Sequence, residues 1–402
     1  MNSVGIDVSK GKSMIAVMRP FGEMVCSPFE VAHTSGELSA LAKRLKSLDG
    51  ETRVVMEATG NYHLPIAMAL HEAGIYVSVV NAMLVHDYGN NTLRRAKTDK
   101  KDAIKLANYG LDCWLKLPRF FPEEESRMLL KNCYRQYRQY SKVQTMLRNN
   151  LISLLDTVFP GANRFFSSPA REDGSEKWVD FIETFWHCEC VSALSLKAFE
   201  KKYQKWCGKL GYYFREVKAL EIYTAACGCV AAMPKAETTH LLIIQAVSQL
   251  KASASALAEL KKEMLRLAES LPEYPVVQKI YGVGPTLGPQ LMAEIGDVRR
   301  FYSKKALVAF AGIDAPPNDS GQIVNNHKSM SKIGSSALRR TLFLIMSVYL
   351  QTSPVNEPVY QFMDKKRAEG KPYRVYMMAS ANKFLRIYYA SVKAYLDALE
   401  EA

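Results

Sequence analysis

The sequence predicts an α/β domain at the N-terminus, long coiled-coil helices in the middle and a mostly α-helical C-terminal domain. Three observations carry this. Over the first 110 residues short apolar strands alternate with amphipathic helices. Heptad spacing then replaces the alternation. After about residue 275, glycine-bearing turns separate apolar helices. The domains that follow are 1–110, 111–274 with an inserted segment near 160–235, and 275–402.

Taken in order, Val4–Lys10 alternates as a strand, Lys10-Gly11-Lys12 turns the chain, and Ser13–Met18 returns as a second strand. Asp7 stands inside the first apolar strand, where an unpaired carboxylate is costly. Its ordinary role is that of a strand-end residue satisfied by local N–H groups. A helix follows near Leu38–Leu48. Thr52–Glu57 is another apolar strand ending in an acid, followed by the small-residue turn Ala58-Thr59-Gly60. His63–Ala73 reads as a helix and Ile75–Val80 as a strand, so Asp7 and Glu57 end neighbouring strands.

The densest chemistry lies in Arg94-Arg95-Ala96-Lys97-Thr98-Asp99-Lys100-Lys101-Asp102-Ala103. Thr98 or Asp99 caps a helix that Ile104–Ala107 continues. Asp99 and Asp102, three apart, project from one helical face. Arg94, Arg95, Lys97, Lys100, Lys101 and Lys105 surround them. Close carboxylates favour a divalent cation, and the collar of cations favours a phosphodiester. The plainer reading is a solvated helix with i,i+3 charge pairs. Asp7, Glu57, Asp99 and Asp102 together favour the first. Acids from separate elements meeting at one sheet end describe a two-metal phosphoryl-transfer site.

At 402 residues, 48% hydrophobic and 23% charged, the chain is long enough for two or three cored domains. A net charge of +13 asks for a polyanionic partner, most simply nucleic acid. No strongly basic amphipathic helix marks a membrane surface, no apolar run is expected to reach bilayer length, and Met1–Asp7 does not read as a signal peptide. A cytoplasmic protein with no membrane partner is expected. The 8 cysteines do not suggest a secreted disulfide framework. Cys188-Glu189-Cys190, after His187, and Cys227-Gly228-Cys229 offer zinc ligands, but C-x-C is tighter than the usual zinc knuckle. Reduced thiols are expected.

Gly5-Ile6-Asp7-Val8-Ser9-Lys10, Met56-Glu57-Ala58-Thr59-Gly60-Asn61-Tyr62 and Ala96-Lys97-Thr98-Asp99-Lys100-Lys101-Asp102-Ala103 resemble the motifs of DEDD-type insertion-sequence transposases. These are related to the Piv invertase and carry a RuvC-like N-terminal domain. The resemblance implies a ribonuclease-H-like fold. It assigns Asp7, Glu57, Asp99 and Asp102 as catalytic acids holding Mg²⁺ or Mn²⁺.

In the middle region Leu129, Cys133, Gln136, Tyr140, Val143, Leu147, Asn150, Leu154 and Val158 fall at spacings of four and three, several of them polar. Ile243, Val247, Leu250, Ala254, Leu257, Lys261, Met264, Ala268 and Leu271 repeat the heptad better. The two helices pair with each other or with copies from another subunit. Between them, Phe199-Glu200-Lys201-Lys202-Tyr203-Gln204-Lys205-Trp206 interleaves rings and cations; an amphipathic core helix is favoured over a nucleic-acid track.

Further on, Ile280–Pro285 is a glycine-bearing turn before a helix, able to aim N–H groups at a phosphate or to form a helix corner. Arg299, Arg300, Lys304, Lys305, Lys328, Lys332, Arg339 and Arg340 add candidate nucleic-acid contacts. Ser320, on a turn before Gly321, has the exposure a nucleophile needs, although turn capping is the commoner role of such a serine. No His-Asp pattern marks it for acyl transfer.

Gly282-Val283-Gly284-Pro285, Glu294-Ile295-Gly296-Asp297, Phe310-Ala311-Gly312-Ile313, Ser320-Gly321 and Ser331-Lys332-Ile333-Gly334 through Arg339 resemble the same family's C-terminal domain, which carries a catalytic serine. Ser320 matches it, and Ser331 is the fallback. The resemblance covers roughly residues 1–110 and 275–395. It implies a bacterial or archaeal, nucleoid-associated recombinase of an insertion sequence, acting through a circular intermediate on double-stranded element ends and target. It further implies a structured guide RNA from the element and a homo-oligomer, a dimer at least and a tetramer on DNA.

The leading expectation is therefore strand exchange through a transient phosphoserine at a composite site. The alternative is a RuvC-like metal-dependent nuclease that hydrolyses without a covalent intermediate. An actin-like ATPase would need a second glycine-rich phosphate loop late in the chain. A purely binding protein leaves the strand acids without a purpose.

Overall fold

The computed structural model describes residues 1–88, 98–315 and 329–401. Its chain forms two compact units, Met1–Glu123 and Glu124–Ala402.

In the first unit, alternation of apolar and small residues makes a sheet with two different faces. The strands are β1 (Asn2–Ser9), β2 (Lys12–Arg19), β3 (Glu23–Ala32), β4 (Thr52–Glu57) and β5 (Tyr76–Val80). Their order is β3-β2-β1-β4-β5. The β1–β2 and β2–β3 pairs are antiparallel, and β4 lies parallel to both β1 and β5. A three-strand meander extended by two parallel strands is the ribonuclease-H-like arrangement. The sequence does not announce β3, an edge strand carrying Pro28 and a register shift against β2. Such an edge, half-exposed on both faces, loses the clean period of two.

Val4, Ile6, Val8, Val54 and Met56 fill one face against α1 (Ser35–Lys46) and α2 (Leu64–Glu72). The other face bears Ser3, Gly5, Asp7, Val55 and Glu57, because neighbouring strand residues point to opposite sides. After α3 (Ala82–Asp87), α4 (Asp99–Asp112) lies over that second face.

The second unit is helical. Its first half comprises α5 (Glu125–Val158), α6 (Lys177–Thr184), α7 (Glu189–Ser192), α8 (Leu196–Leu210), α9 (Glu216–Cys227) and α10 (Glu237–Glu269). α11 (Tyr274–Gln278), α12 (Gly284–Ile295), α13 (Lys304–Ala311), α14 (Ser336–Thr352), α15 (Pro358–Ala368) and α16 (Tyr373–Glu401) follow.

α5 and α10 pack along each other within one chain. The heptad of α10 falls where the spacing predicts: Ile243, Val247, Leu250, Ala254, Leu257, Met264 and Ala268 are buried. On α5 the expected seam needs correction. Val158 is buried as the spacing predicts, but Leu130, Tyr134, Leu151 and Leu155 are buried one position beyond expected ones, whereas Leu129, Gln136, Tyr140 and Asn150 are exposed. The seam is turned by one residue, roughly 100° of helix, away from its polar positions. Glu237–Glu269 also corrects the expectation that no run reaches bilayer length, since it is long and apolar enough to cross a membrane. In this chain its apolar stripe faces α5.

The paired helices join two cores. Leu130 and Tyr134 enter the core of α11–α16 with Leu291, Leu342, Ile345 and Phe384. Leu151 and Leu155 enter the other with Phe181, Phe185, Tyr203, Ile222 and Val247. From Tyr134 to Leu151 is about 25 Å of helix. Phe199, Tyr203 and Trp206 are buried in the second core, so the helix of rings and cations is a core element. At the foot of α5, Arg127 and Glu273 form a buried bidentate ion pair, with Arg127 Nη2 donating at 2.8 Å to Glu273 Oε2.

Candidate active site

Glycine at position 5 brings the acids toward one another. A Cβ there would stand 2.0 Å from the Ala103 carbonyl oxygen and 2.3 Å from the Ala107 nitrogen, so α4 rests on the bare backbone of β1. At position 110 an added Cβ would lie 2.3 Å from Ser3 Oγ. Along β1 the chain runs from Ser3 to Gly5 to Asp7; along α4 the matching contacts run from Gly110 back to Ala103. The helix is therefore antiparallel to β1, and its first turn reaches the end of the sheet where β1 and β4 finish.

Asp7 and Glu57 lie at that end, on the face that α4 covers. The last paired residues of the parallel β1–β4 ladder are Ile6 and Met56, one step before the two acids. Both are half-buried and both engage partners. Asp99 precedes Ala103 by one turn and so lies on the sheet-facing side of α4. Thr98 caps the helix, its Oγ1 accepting from Lys101 N at 3.3 Å. Asp99 is exposed and Asp102 half-buried. Lys12, at the β1–β2 turn, is tied to Glu30 at 2.7 Å. Glu30 raises the lysine above its ordinary pKa, and Asp99, within electrostatic range of that turn, adds a smaller effect.

The four carboxylates thus share one end of the sheet. Hard oxygen donors of this kind suit Mg²⁺ or Mn²⁺ better than a soft metal. No three His, Cys, Asp or Glu side chains among the described residues stand close enough to hold one ion, and that includes these acids and the Cys188/Cys190/Cys227/Cys229 pairs. Cys188 is buried, and burial followed by the neighbouring Cys229 thiol pushes its pKa up to about 11.

The basic candidates divide. Lys100 and Lys101 are exposed beside the acids, while Lys105 Nζ donates to the His86 carbonyl at 3.2 Å. Arg299 is held by Asp297 at 2.7 Å and by Glu400, and Arg300 donates to Ile295 O at 2.9 Å and stacks on Phe301 and Phe310. Burial alone would raise Asp297, but the Arg299 hydrogen bonds hold it below the ordinary carboxylate value. Lys304 and Lys305 are exposed on the first turn of α13; Lys332 and Arg340 are exposed. Arg339 donates to the Ala311 and Gly334 carbonyls at 3.0 and 3.3 Å. Arg94, Arg95, Lys97, Ser320 and Lys328 lie outside the described residues.

Ser331 N donates at 2.9 Å to the Asp314 carbonyl, and the Ser331 hydroxyl donates to Asp314 Oδ1. The fallback serine thus fastens two chain segments together. In the Ile280–Pro285 turn Gly282 has a packing role: its φ is +77° and a Cβ there would meet the Tyr349 ring at 3.0 Å, whereas Gly284, at φ +58°, has open space around it. Sequence reasoning gave Gly5 no part in building the site. The available signal was small residues at matched spacing, Ser3 and Gly5 against Ala103, Ala107 and Gly110.

Known proteins align with both ends of the chain. The sequence profile of DEDD transposases of the IS110 type matches residues 4–160. That of the IS116/IS110/IS902 transposases matches residues 274–361. The pilin gene-inverting protein of Moraxella bovis is 24% identical over 345 residues, covering 85% of this chain and 80% of that protein. An uncharacterized 44.8 kDa protein of insertion element IS116 from Streptomyces clavuligerus is 21% identical over 397 residues, covering 97% and 94%. T. thermophilus RuvC, solved with a Holliday junction substrate, aligns with 29% of this chain and 95% of its own at 13% identity and a TM-score of 0.23.

Proposed function

The chain belongs to the IS116/IS110/IS902 transposases, enzymes of DNA recombination, and from that premise we propose that it cleaves and rejoins insertion-sequence DNA through a phosphoserine on Ser320. Asp7, Glu57, Asp99 and Asp102, which share one end of the sheet but stand too far apart here for three of them to meet on one ion, would hold a divalent cation, Mg²⁺ or Mn²⁺, once drawn together on DNA. A bound ion there supplies Lewis acidity toward the phosphate and charge for the developing oxyanion. The observation that supports this assignment is the approach of α4 to Gly5, which carries the first turn of the helix to the strand ends bearing Asp7 and Glu57.

The chain's own chemistry is an exchange of phosphoesters. The Ser320 hydroxyl oxygen attacks phosphorus, the bond to the 3′-oxygen breaks, and the serine proton goes to that leaving oxygen. A 5′-phosphoserine and a free 3′-hydroxyl result. A second 3′-hydroxyl then attacks the phosphoserine, restoring the serine. Each step trades one phosphoester for another, so no nucleoside triphosphate is consumed. The exposed Lys100 and Lys101 border the acids and suit the incoming backbone. A structured RNA from the element would choose the DNA, and a dimer, assembling to a tetramer, would align two duplexes.

The test is denaturing-gel detection of protein linked to labelled element-end DNA in Mg²⁺. Asp102→Asn and Asp7→Asn should keep the parent's circular dichroism and lose cleavage. Ser320→Ala should bind DNA and form no adduct. An adduct mapping to Ser331 would move the nucleophile. Efficient cleavage by Ser320→Ala with no adduct at any serine would replace strand exchange by hydrolysis.

A further inference from the structure

A cationic patch on the α6–α9 core has no part in the chemistry above. Beneath it Phe199, Tyr203, Trp206 and Tyr212 form a stack, with interplanar angles of 16°, 16° and 23° between successive rings. The stack ends under cations. The Arg171 guanidinium lies 4.1 Å from the Tyr212 centroid, and Lys177 Nζ lies 5.0 Å from it and 4.9 Å from that of Phe166. Arg215 stands 5.7 Å from the ring of Tyr213, which is 78% exposed.

These cations are oriented without being neutralised. Arg171 donates to the Leu210 and Gly211 carbonyls at 2.8 and 3.4 Å, and Lys177 to the Tyr213 carbonyl at 3.4 Å. Among the described residues no carboxylate forms an ion pair with Arg171, Lys177 or Arg215. Asp173 lies within electrostatic range of Arg171, but its strongest partner is Ser175. Lys218 is tied to Glu221 at 2.5 Å. Burial, then the repulsion of Lys218, Arg215 and Arg171, holds the Lys177 ammonium below its ordinary pKa. The C-terminus of α8 offsets only about half a charge beside Arg171.

Like charges gathered over Tyr212 and beside the exposed ring of Tyr213 cost folding energy and suit a ligand that is both polyanionic and planar. We propose that this face is a docking surface for single-stranded nucleic acid, with successive phosphates on Arg171, Lys177 and Arg215 and an unpaired base stacked on Tyr213. An acidic peptide would satisfy the charges but leave the ring without a planar partner. DNA and RNA strands share this chemistry. The inference rests on the family's action on nucleic acid and is independent of the phosphoserine step.

The test titrates the full-length protein against labelled single-stranded DNA and RNA of the same sequence over a range of salt. In Arg171→Gln/Lys177→Gln/Arg215→Gln the slope of log K against log salt should fall by about 2, from three contacts at ~0.7 each. Affinity near 0.1 M salt should fall at least roughly tenfold. Tyr213→Ala should weaken single strands about tenfold with little change in slope. A loss confined to DNA or to RNA identifies the natural strand. The readout is equilibrium binding without strand cleavage, so failure of the phosphoserine step leaves it unaffected. Parent slope and affinity in the triple variant, for both polymers, would overturn the proposal. Should the triple variant melt early, Tyr213→Ala/Arg215→Gln, altering two exposed side chains, carries the test. A loss of about 0.7 in slope with weaker binding is then expected, and no change overturns the proposal.

Discussion

Gly5→Ala is the substitution that most directly probes how the fold builds the site. The new methyl carbon would lie 2.0 Å from the Ala103 carbonyl oxygen and 2.3 Å from the Ala107 nitrogen, both backbone atoms that cannot rotate away. Ordinary contact requires α4 to retreat by roughly 1–1.5 Å. Overpacking of this kind costs about 1–3 kcal/mol. The functional cost should be larger, because α4 carries Asp99 and Asp102 and a ~1 Å misplacement of reacting groups costs about 100-fold in rate. Gly110→Ala is the matched control. Its Cβ would meet Ser3 Oγ at 2.3 Å and Val55 Cγ2 at 2.8 Å, side-chain ends with some freedom to move. It also lies about 16 Å along the helix from Asp99. Thermal melting and strand cleavage on element-end DNA should show both variants folded, with Gly5→Ala down about 100-fold and Gly110→Ala within a few-fold of the parent. Parent-level cleavage by Gly5→Ala would refute the claim that α4 sets the acids in place.

Two further outcomes concern the helical unit. Leu250 and Leu257 are 1% and 8% exposed on the seam of α10 against α5, so replacing both with Lys should unfold this unit rather than release a folded monomer; light scattering with circular dichroism distinguishes the two, and a folded monomer would show that the seam joins subunits. Glu273→Gln leaves the 5%-exposed Arg127 without its buried counter-charge and should cost about 3–5 kcal/mol in denaturant unfolding; a loss under ~1 kcal/mol would mean that Glu124, 3.2 Å from Arg127, takes over.

Much of the first unit was legible from order and period alone. Alternation fixed β1, β2, β4 and β5, and strand parity put Asp7 and Glu57 on the same face as Gly5 and Val55. Thr98 before Asp99 marked the start of α4 because a short hydroxyl side chain satisfies an N–H that the first turn leaves open. The basic balance and the two sets of family motifs pointed to recombination without any coordinate.

Other features depend on groups far apart in the chain. Local period could not place the α5 seam, because polar and apolar residues compete for neighbouring positions and only the partner α10 decides which stripe is buried. Nor could it show that Arg299 is held by Asp297 and Glu400 while Arg171, Lys177 and Arg215 stand together without a paired carboxylate. A sequence lists charges, whereas their pairing depends on which distant segments packing brings within a few ångströms. The sequence by itself determined the strands that carry Asp7 and Glu57, the start of α4 and the sign of the partner. Tertiary structure decided that α4 lies antiparallel on the bare backbone at Gly5, because only the absence of a side chain there lets a helix approach closely enough to bring its first turn to the ends of β1 and β4.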